Sequence, residues 1–483
     1  MVGIDEFRNN YIDKAIVIFG AGSLTKMIMD EIGVPVEMVV DNDSRKWGMQ
    51  ITDLLGRSII CKASYVQTPD DIIETFRVDK VIVVIASYHV NEIVSQLRKM
   101  GIQYIVDGRQ LIEKKATYND QNLQCSKVQN NKVCIMMGNY GGHGYYITRK
   151  LLQQTQDVDI VWILRSPKKN IPRGVRVVYD GDINAYKEEM ATAKVWLYDV
   201  LVPEYLQKTE GQFYIQVKHW GSITLKKFYL DEPGYQLDLK RVQKLHHNTN
   251  MMDYIMVGSE FDKNSCKTGF GYNGKFLEVG SPRTDVLYEK NVKEKVRRYY
   301  GLDDDTKLVI YAPTYRDHDY SNIEKLKFSA LVNIFEKKFG GHWKMILRYH
   351  PSEAMKGNGE KKDENVINGC LYENSQELVA ASDVMITDYS SIMFESAYVG
   401  KPVFLYAPDK EYYIREERDL LIDYDTLPFP ISKTNEELIT QIEQFDEDSY
   451  KIGVKRFLQE YGVHEDGHAS ERAAAFIMEL MEK

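Results

Sequence analysis

Cysteine is scarce and unpatterned in this sequence. The 483 residues contain five (Cys61, Cys125, Cys134, Cys266 and Cys370), an odd number with no CxxC pair. That excludes a disulfide scaffold and a standard zinc site, and it suits a reducing compartment. Positive charge is not in excess either. Lys and Arg total 62 against 71 Asp and Glu, a formal net charge of −9. A dedicated nucleic-acid binder needs a basic face and is not expected, although a local cationic pocket for one phosphorylated ligand is compatible with this balance. No run reaches the ~20 apolar residues of a membrane span. The opening MVGIDEFRNNYIDK has neither the basic start nor the apolar middle of a secretory signal, so a cytoplasmic protein is expected. Internal repeats, low-complexity segments and clusters of metal-ligand spacing are also missing, and no metal site is expected. What is present is 43% hydrophobic and 28% charged residues, enough for a large core over about three domains' worth of chain.

The patterning predicts α/β architecture throughout. Residues 1–111 read as a small doubly wound, Rossmann-like domain. The continuous apolar runs Ala15–Phe19 and Val81–Ile85 suit parallel strands covered on both faces. Gly20-x-Gly22-x-x-Thr25 follows the first strand, and Asp41 comes 19 residues after Gly22 (41 − 22). This is half of a dinucleotide fingerprint. The third glycine is missing, so a scaffolding or regulatory domain is expected in place of NAD(P) binding. The polar, aperiodic stretch 112–131 reads as a linker. Strand and helix signals then resume in two blocks, 132–300 and 301–483, the outline of a GT-B-like pair of Rossmann-like lobes. Ligands of such folds sit at the carboxyl ends of the strands, in the crevice between lobes.

Candidate chemistry collects at those strand ends. Val384-Met385-Ile386 runs into Thr387-Asp388-Tyr389-Ser390-Ser391, where either serine is a natural N-cap and the free N–H groups of a helix start suit an anion. Ile346-Leu347-Arg348-Tyr349-His350-Pro351 delivers a cation and an imidazole, and Pro351 holds His350 extended. Tyr311-Ala312-Pro313-Thr314-Tyr315-Arg316 and Gly280-Ser281-Pro282-Arg283 each bring an arginine. Taken singly, each is as readily a capped helix, a structural histidine or a solvated charge. Several at one sheet edge point to a phosphorylated ligand. In the middle block, His219 of Gln216-Val217-Lys218-His219-Trp220-Gly221-Ser222 follows a strand and is a candidate general base. His143, in Gly141-Gly142-His143-Gly144, is the alternative, on a loop expected to be flexible enough to reach the cleft.

Together these segments resemble the CDP-glycerol glycerophosphotransferases of teichoic acid and capsule polymer synthesis. Tyr311–Arg316, His350-Pro351, Asp388–Ser391, Gly280–Asp285 and the tail Asp466-Gly-His-Ala-Ser-Glu-Arg472 occur in that family's order, and the resemblance covers roughly residues 131–483. It departs at one place. The family pattern is similar to Q-x-W-H-G-T-x-L-K-K, whereas here Trp220 follows His219 and two residues are added before Lys226-Lys227. The resemblance implies a transferase that moves glycerol phosphate, or a related alditol phosphate, from CDP-glycerol or CDP-ribitol to a hydroxyl of a lipid-linked or polymeric acceptor, releasing CMP. His219 and His350 would be the catalytic histidines. Arg283, Arg316, Arg348, Asp388, Ser390, Ser391 and Arg472 would surround the donor phosphates, and Gly142 and His143 would line the acceptor loop. Fixed cations would serve in place of a metal or other cofactor. A peripheral contact with the inner face of the cell membrane follows from the family's lipid-linked acceptors. The sequence does not distinguish oligomeric states. The rival readings are a GT-B glycosyltransferase using a nucleotide-sugar and a non-catalytic nucleotide-binding regulator.

Overall fold

A computed structural model describes residues 11, 13–33, 35–51, 61–87, 90–108, 111, 127–138, 140–168, 170–314, 326–349 and 364–483. They form two compact units. The smaller takes the described residues before 127 together with 180–184; the larger takes 127–179 and 185–483.

The smaller unit has a four-stranded parallel sheet, β1 (Ala15–Phe19), β2 (Met38–Val40), β3 (Val81–Ile85) and β4 (Tyr104–Asp107), in the order β2-β1-β3-β4. All five residues of β3 are buried, as a central strand covered on both faces requires. Gly20 turns the chain from β1 into helix α1 (Ser23–Ile32).

The larger unit holds two parallel sheets. The first has seven strands: β5 (Gln129–Met136), β6 (Asp159–Leu164), β7 (Val175–Tyr179), β8 (Ala193–Tyr198), β9 (Phe213–Gln216), β10 (Tyr254–Val257) and β11 (Lys275–Glu278), in the order β11-β10-β9-β8-β5-β6-β7. The second has six: β12 (Lys307–Ala312), β13 (Trp343–Leu347), β14 (Val366–Asn368), β15 (Val384–Thr387), β16 (Val403–Tyr406) and β17 (Ile431–Ser432), in the order β14-β13-β12-β15-β16-β17. Four helices matter below: α2 (His143–Gln154), α3 (Glu260–Gly269), α4 (Ile392–Tyr398) and α5 (Ala469–Glu482).

Two boundaries depart from expectation. β5 begins at Gln129, inside the stretch read as a linker, of which 112–126 lies outside the described residues. Gln129 to Lys132 is polar, but its backbone pairs with both neighbours: Gln129 sits opposite Ala193 and Lys132 opposite Asp159. Pairing, not apolarity, makes it strand. The second departure is α5, which was expected in the last lobe. Ala473, Ala474, Ile477 and Leu480 form one helical face and pack with Val133, Ile135 and Leu197 in the core of the seven-stranded sheet. The small alanines let the helix sit close to the strands.

The sheet order sets up the site. β11, β10, β9, β8 and β5 are successive neighbours, so the loops leaving their carboxyl ends lie side by side. The loops and first helical turns that follow these strands carry Arg283, Asp262, His219, Asp199 and His143, respectively.

Candidate active site

The loop after β9 does the least ordinary thing in the larger unit. Lys218 takes a left-handed backbone, φ 61°, which costs a residue with a side chain about 1–2 kcal/mol. Two contacts hold it there. Gln216 Oε1 accepts from the Lys218 N–H at 3.0 Å, and the Lys218 ammonium pairs with Asp262 of α3, both fully buried. Asp262 also accepts from Trp220 Nε1 at 3.2 Å and from the Gly258 N–H at 3.1 Å. A buried ion pair is tolerable only when its remaining atoms are satisfied in this way. The turn so fixed leaves Trp220 inside and His219 exposed. Beyond it, Ile223 and Leu225, both fully buried, join the core of the second lobe. The His219 segment therefore runs from the first sheet into the second lobe.

His219 sits edge-on to Trp220, with ring centroids 4.9 Å apart, and its ring hydrogen-bonds the Asp199 backbone. One side of the imidazole meets solvent, yet the protein packed around it, and then the Arg283 charge, push its pKa down to about 4. It is neutral at physiological pH. With one nitrogen donating to a carbonyl, the other carries a lone pair.

His143 is placed differently. It is the first residue of α2 and is 2% exposed. Its Nδ1 accepts from the Arg283 backbone N–H at 3.4 Å, so its Nε2, 2.8 Å from the Trp220 carbonyl, must donate. Burial and then the Arg283 charge hold it well below the usual imidazole range. Both nitrogens are occupied. Nor is the glycine loop flexible: a Cβ on Gly141, at φ 85°, would fall 2.2 Å from Asn374 Oδ1 of the second lobe. Gly142 is the extended N-cap of α2. This loop is a close-packed joint and not a reaching arm.

Arg283 gathers these pieces. Its guanidinium donates to the His219 carbonyl and lies 3.2 Å from Glu395 Oε1 of α4, across the lobes. Glu395 is 2% exposed, and burial raises its pKa against the pull of Arg283. Ser391 also serves the lobe junction. It holds the N-cap position of α4, as expected, but its Oγ accepts from the Leu225 N–H at 3.0 Å in place of a side-chain cap bond. Ser390 stands one residue before it, and its carbonyl accepts from Met393. Asp388 is buried and braces two strand ends, its Oδ1 accepting from Thr314 N at 2.8 Å and from Tyr389 N at 2.6 Å.

Two expected donor contacts are structural instead. Arg348 Nη1 donates to the carbonyls of Gly369, Cys370 and Tyr372 at 2.9, 3.0 and 3.0 Å, closing the loop after β14. Arg472 makes a two-point pair with Asp466, at 2.7 and 2.9 Å, and donates to the Val279 carbonyl. The adjoining motif does similar work: Asp285 accepts from the N–H groups of Ala469 and Ser470 at 3.0 and 2.7 Å and caps α5 from a distance in sequence. Arg316 and His350 lie outside the described residues.

The fold and this junction of strand ends are in place, and the chain's likenesses can be set beside them. Residues 123–479 match the model of the family described as CDP-Glycerol:Poly(glycerophosphate) glycerophosphotransferase. The chain belongs to this family. It is similar to a teichoic acid poly(glycerol phosphate) polymerase of Bacillus spizizenii, 27% identical over 293 residues, covering 59% of this chain and 74% of that one. A second polymerase of that description, from Staphylococcus epidermidis, is 26% identical over 358 residues and is covered to 49%, so the chain spans about half of that relative's length. Among solved structures, the wall teichoic acid polymerase TagF superposes with a TM-score of 0.66 at 23% identity, over 82% of this chain and 99% of that one. That likeness is one of fold, a GT-B-like pair of lobes.

Within this glycerophosphotransferase fold, sequence reasoning missed Lys218, Asp262, Glu395 and Glu465. Glu395 lies on the helix that the Asp388–Ser391 motif introduces, so its place beside the site was readable; its pairing with Arg283 was not. Glu465 immediately precedes the tail motif. It accepts from Ser222 Oγ, from Thr284 Oγ1 at 2.9 Å and from the Ser281 N–H at 3.3 Å, and burial raises its pKa to about 7.

Proposed function

We propose that this glycerophosphotransferase moves glycerol phosphate, or a related alditol phosphate, from a CDP-activated donor to a hydroxyl of a polymeric or lipid-linked cell-wall acceptor, with His219 as the base. The acceptor oxygen attacks the phosphorus that bears the glycerol. The new P–O bond forms as the bond to CMP breaks, and the hydroxyl proton passes to the lone-pair nitrogen of His219. The observation that carries this reading is the contrast between the two histidines beside Arg283: His143 has both nitrogens bonded and is buried, while His219 is neutral and exposed. A base with a pKa near 4 is weak in the free protein. A bound pyrophosphate brings negative charge that raises it toward the working pH, where general-base catalysis is most efficient. Arg283 holds the His219 carbonyl, and its charge lies at the junction where the leaving phosphate would develop charge. Arg316, His350 and the Ser390–Ser391 turn complete the donor side in this reading. The test is release of CMP with CDP-glycerol, CDP-ribitol and UDP-sugars offered separately. Release from a CDP-alditol only is expected; turnover of a UDP-sugar alone would put a glycosyltransferase in its place.

In the same reading residues 1–111 scaffold or regulate and need no NAD(P). Support comes from Asp41, whose carboxylate accepts from the Ala21 and Asp43 N–H groups and from Lys46, where a dinucleotide-binding acid would reach a ribose. A peripheral contact with the inner face of the membrane is supported by Leu237 and Leu239, 85% and 71% exposed beside exposed Lys240 and Arg241. No helix among the described residues is long and apolar enough to cross a membrane. Co-sedimentation with anionic vesicles, lost in a Leu237→Glu, Leu239→Glu double variant, is the expected result.

A further inference from the structure

Three segments of the larger unit meet at Glu465. The first is the His219 turn, through Ser222, three residues on and fully buried, whose Oγ donates to Glu465 Oε1. The second is the stretch that leaves β11 for the second lobe, through the Ser281 N–H at 3.3 Å and Thr284 Oγ1 at 2.9 Å, both to Oε2. The third is Glu465's own segment, which returns from the second lobe to α5 on the first sheet; the Tyr288 hydroxyl pins it by donating to the Glu465 carbonyl at 2.9 Å. The Ser222 and Ser281 hydroxyls are also 3.0 Å apart, and Ser259 Oγ donates to the Ser222 carbonyl at 2.6 Å. Among the described residues no cation forms an ion pair with this carboxyl. The Glu465 charge in turn favours the charged form of Arg472 on α5 and the neutral form of Tyr398 on α4.

We infer that Glu465 is a positioning residue for the transfer step: its carboxyl ties both lobe-crossing segments to the turn that carries His219. Several contacts converge on it. The turn is fixed on its inner side by Lys218 and Asp262, and Ser222 is its opposite end. Releasing Ser222 lets the His219 backbone shift relative to Arg283, and a shift of about 1 Å at a reacting group can cost up to about 10²-fold in rate. The carboxyl is held by hydroxyls and an amide N–H and takes up a proton near neutrality. The uncharged amide of glutamine is therefore a close substitute, and alanine is not. The inference rests on His219 as the base.

The experiment measures CMP release from CDP-glycerol by the full chain and by His219→Ala, Glu465→Ala, Glu465→Gln and Ser222→Ala. Glu465→Ala and Ser222→Ala are expected to lower kcat about tenfold or more while KM for the donor changes less than about threefold, and Glu465→Gln to restore most of kcat. Ser222→Ala keeps the test decisive if Glu465→Ala does not fold. Wild-type kcat in Ser222→Ala and in whichever Glu465→Ala protein folds overturns the inference, and so does a loss that appears in KM alone. A Glu465→Gln protein as slow as Glu465→Ala overturns it too, because charge and not position would then matter. His219→Ala separates the two readings. If it turns over normally, the base assignment falls whatever Glu465 shows. If it collapses while Glu465→Ala stays fast, only the positioning role falls.

Discussion

The protein makes the same strand–glycine–helix turn twice and uses it in two ways. In the smaller unit β1 turns through Gly20 into α1, and in the larger unit β5 turns through Gly138–Gly142 into α2. Each turn is held by a carboxylate from the carboxyl end of an adjacent strand. Asp41, after β2, accepts from the Ala21 N–H at 2.7 Å, and Asp199, after β8, accepts from the Gly138 N–H at 3.0 Å. Each turn needs its glycine: a Cβ on Gly20 would lie 2.6 Å from the Ala86 carbonyl oxygen, and one on Gly138 would lie 2.8 Å from Asp199 Oδ2. The surroundings then diverge. Around Asp41 the partners lie within the smaller unit, with Lys46 at 2.8 Å, the Asp43 N–H at 2.8 Å, the Gln67 carbonyl at 3.2 Å and the Trp47 indole on its carbonyl at 2.6 Å, and Thr25 Oγ1 closes the turn by donating to the Gly20 carbonyl at 2.5 Å. Around Asp199 the partners belong to distant motifs: His143 leads to Trp220 and Arg283, and the Asp199 backbone meets His219. A phosphate-type turn is thus a frame, and function depends on whether its rim is closed on itself or joined to neighbouring strand ends.

Substitutions along that rim test the contrast. The largest effect is expected for His219→Ala, a loss of roughly 10²–10⁴ in kcat with little change in donor affinity, read by steady-state kinetics and calorimetry. In the wild type the acid limb of kcat/KM should fall near pH 4, the value of the His219 ring in the donor-free protein, and that of kcat at higher pH, because the bound donor's charge stabilises the protonated ring. Coincident limbs would count against His219 as the base. Next comes His143→Ala, expected to cost about 1–3 kcal/mol by denaturant melts, because the Trp220 carbonyl and Arg283 N–H lose their partner. Its pH dependence has a definite sign. The folded pKa lies below the unfolded 6.5, so the wild type binds more protons unfolded and loses stability as pH falls below about 6.5; His143→Ala should flatten that limb. Glu465 acts in the opposite sense. Its raised folded pKa takes stability away as pH rises from about 4.5 to about 7, and Glu465→Gln should remove that slope. Asp41→Ala should destabilise the smaller unit by about 1–2 kcal/mol and leave transfer unchanged. Lys46→Ala, which removes a partly exposed partner, should cost less than about 1 kcal/mol.

The legible parts of the sequence were those with strong periodic signals. β3, β6 and β7 run as their apolar stretches predict. β11, β14 and β17 were missed because none has more than two consecutive apolar residues, unlike the equally short β15, and they are strand through their partners. For the site, sequence order brought the motifs together but could not separate those facing the cleft from those binding each other. Arg472 was expected at the donor phosphates, and only the folded chain shows that it pins α5 to Val279 while Asp285 caps the same helix. The displaced tryptophan beside His219 was visible at once. Its reason, a left-handed lysine paired with Asp262, depends on a contact 44 residues away.

Helix α5 has a consequence for how the chain comes to be folded. Its Ala474 and Ile477 share a core with Val133 and Ile135, so the first lobe is closed by residues that leave the ribosome more than 300 positions later. Until then that face of β5 has Ile147 and Leu151 of α2 against it but not α5, and the apolar surface that α5 covers waits through the synthesis of the entire second lobe. Such long-range closure makes for slow assembly and an extended exposure to aggregation. The four strands of the smaller sheet all lie within residues 15–107 and can pair while the rest is still being made.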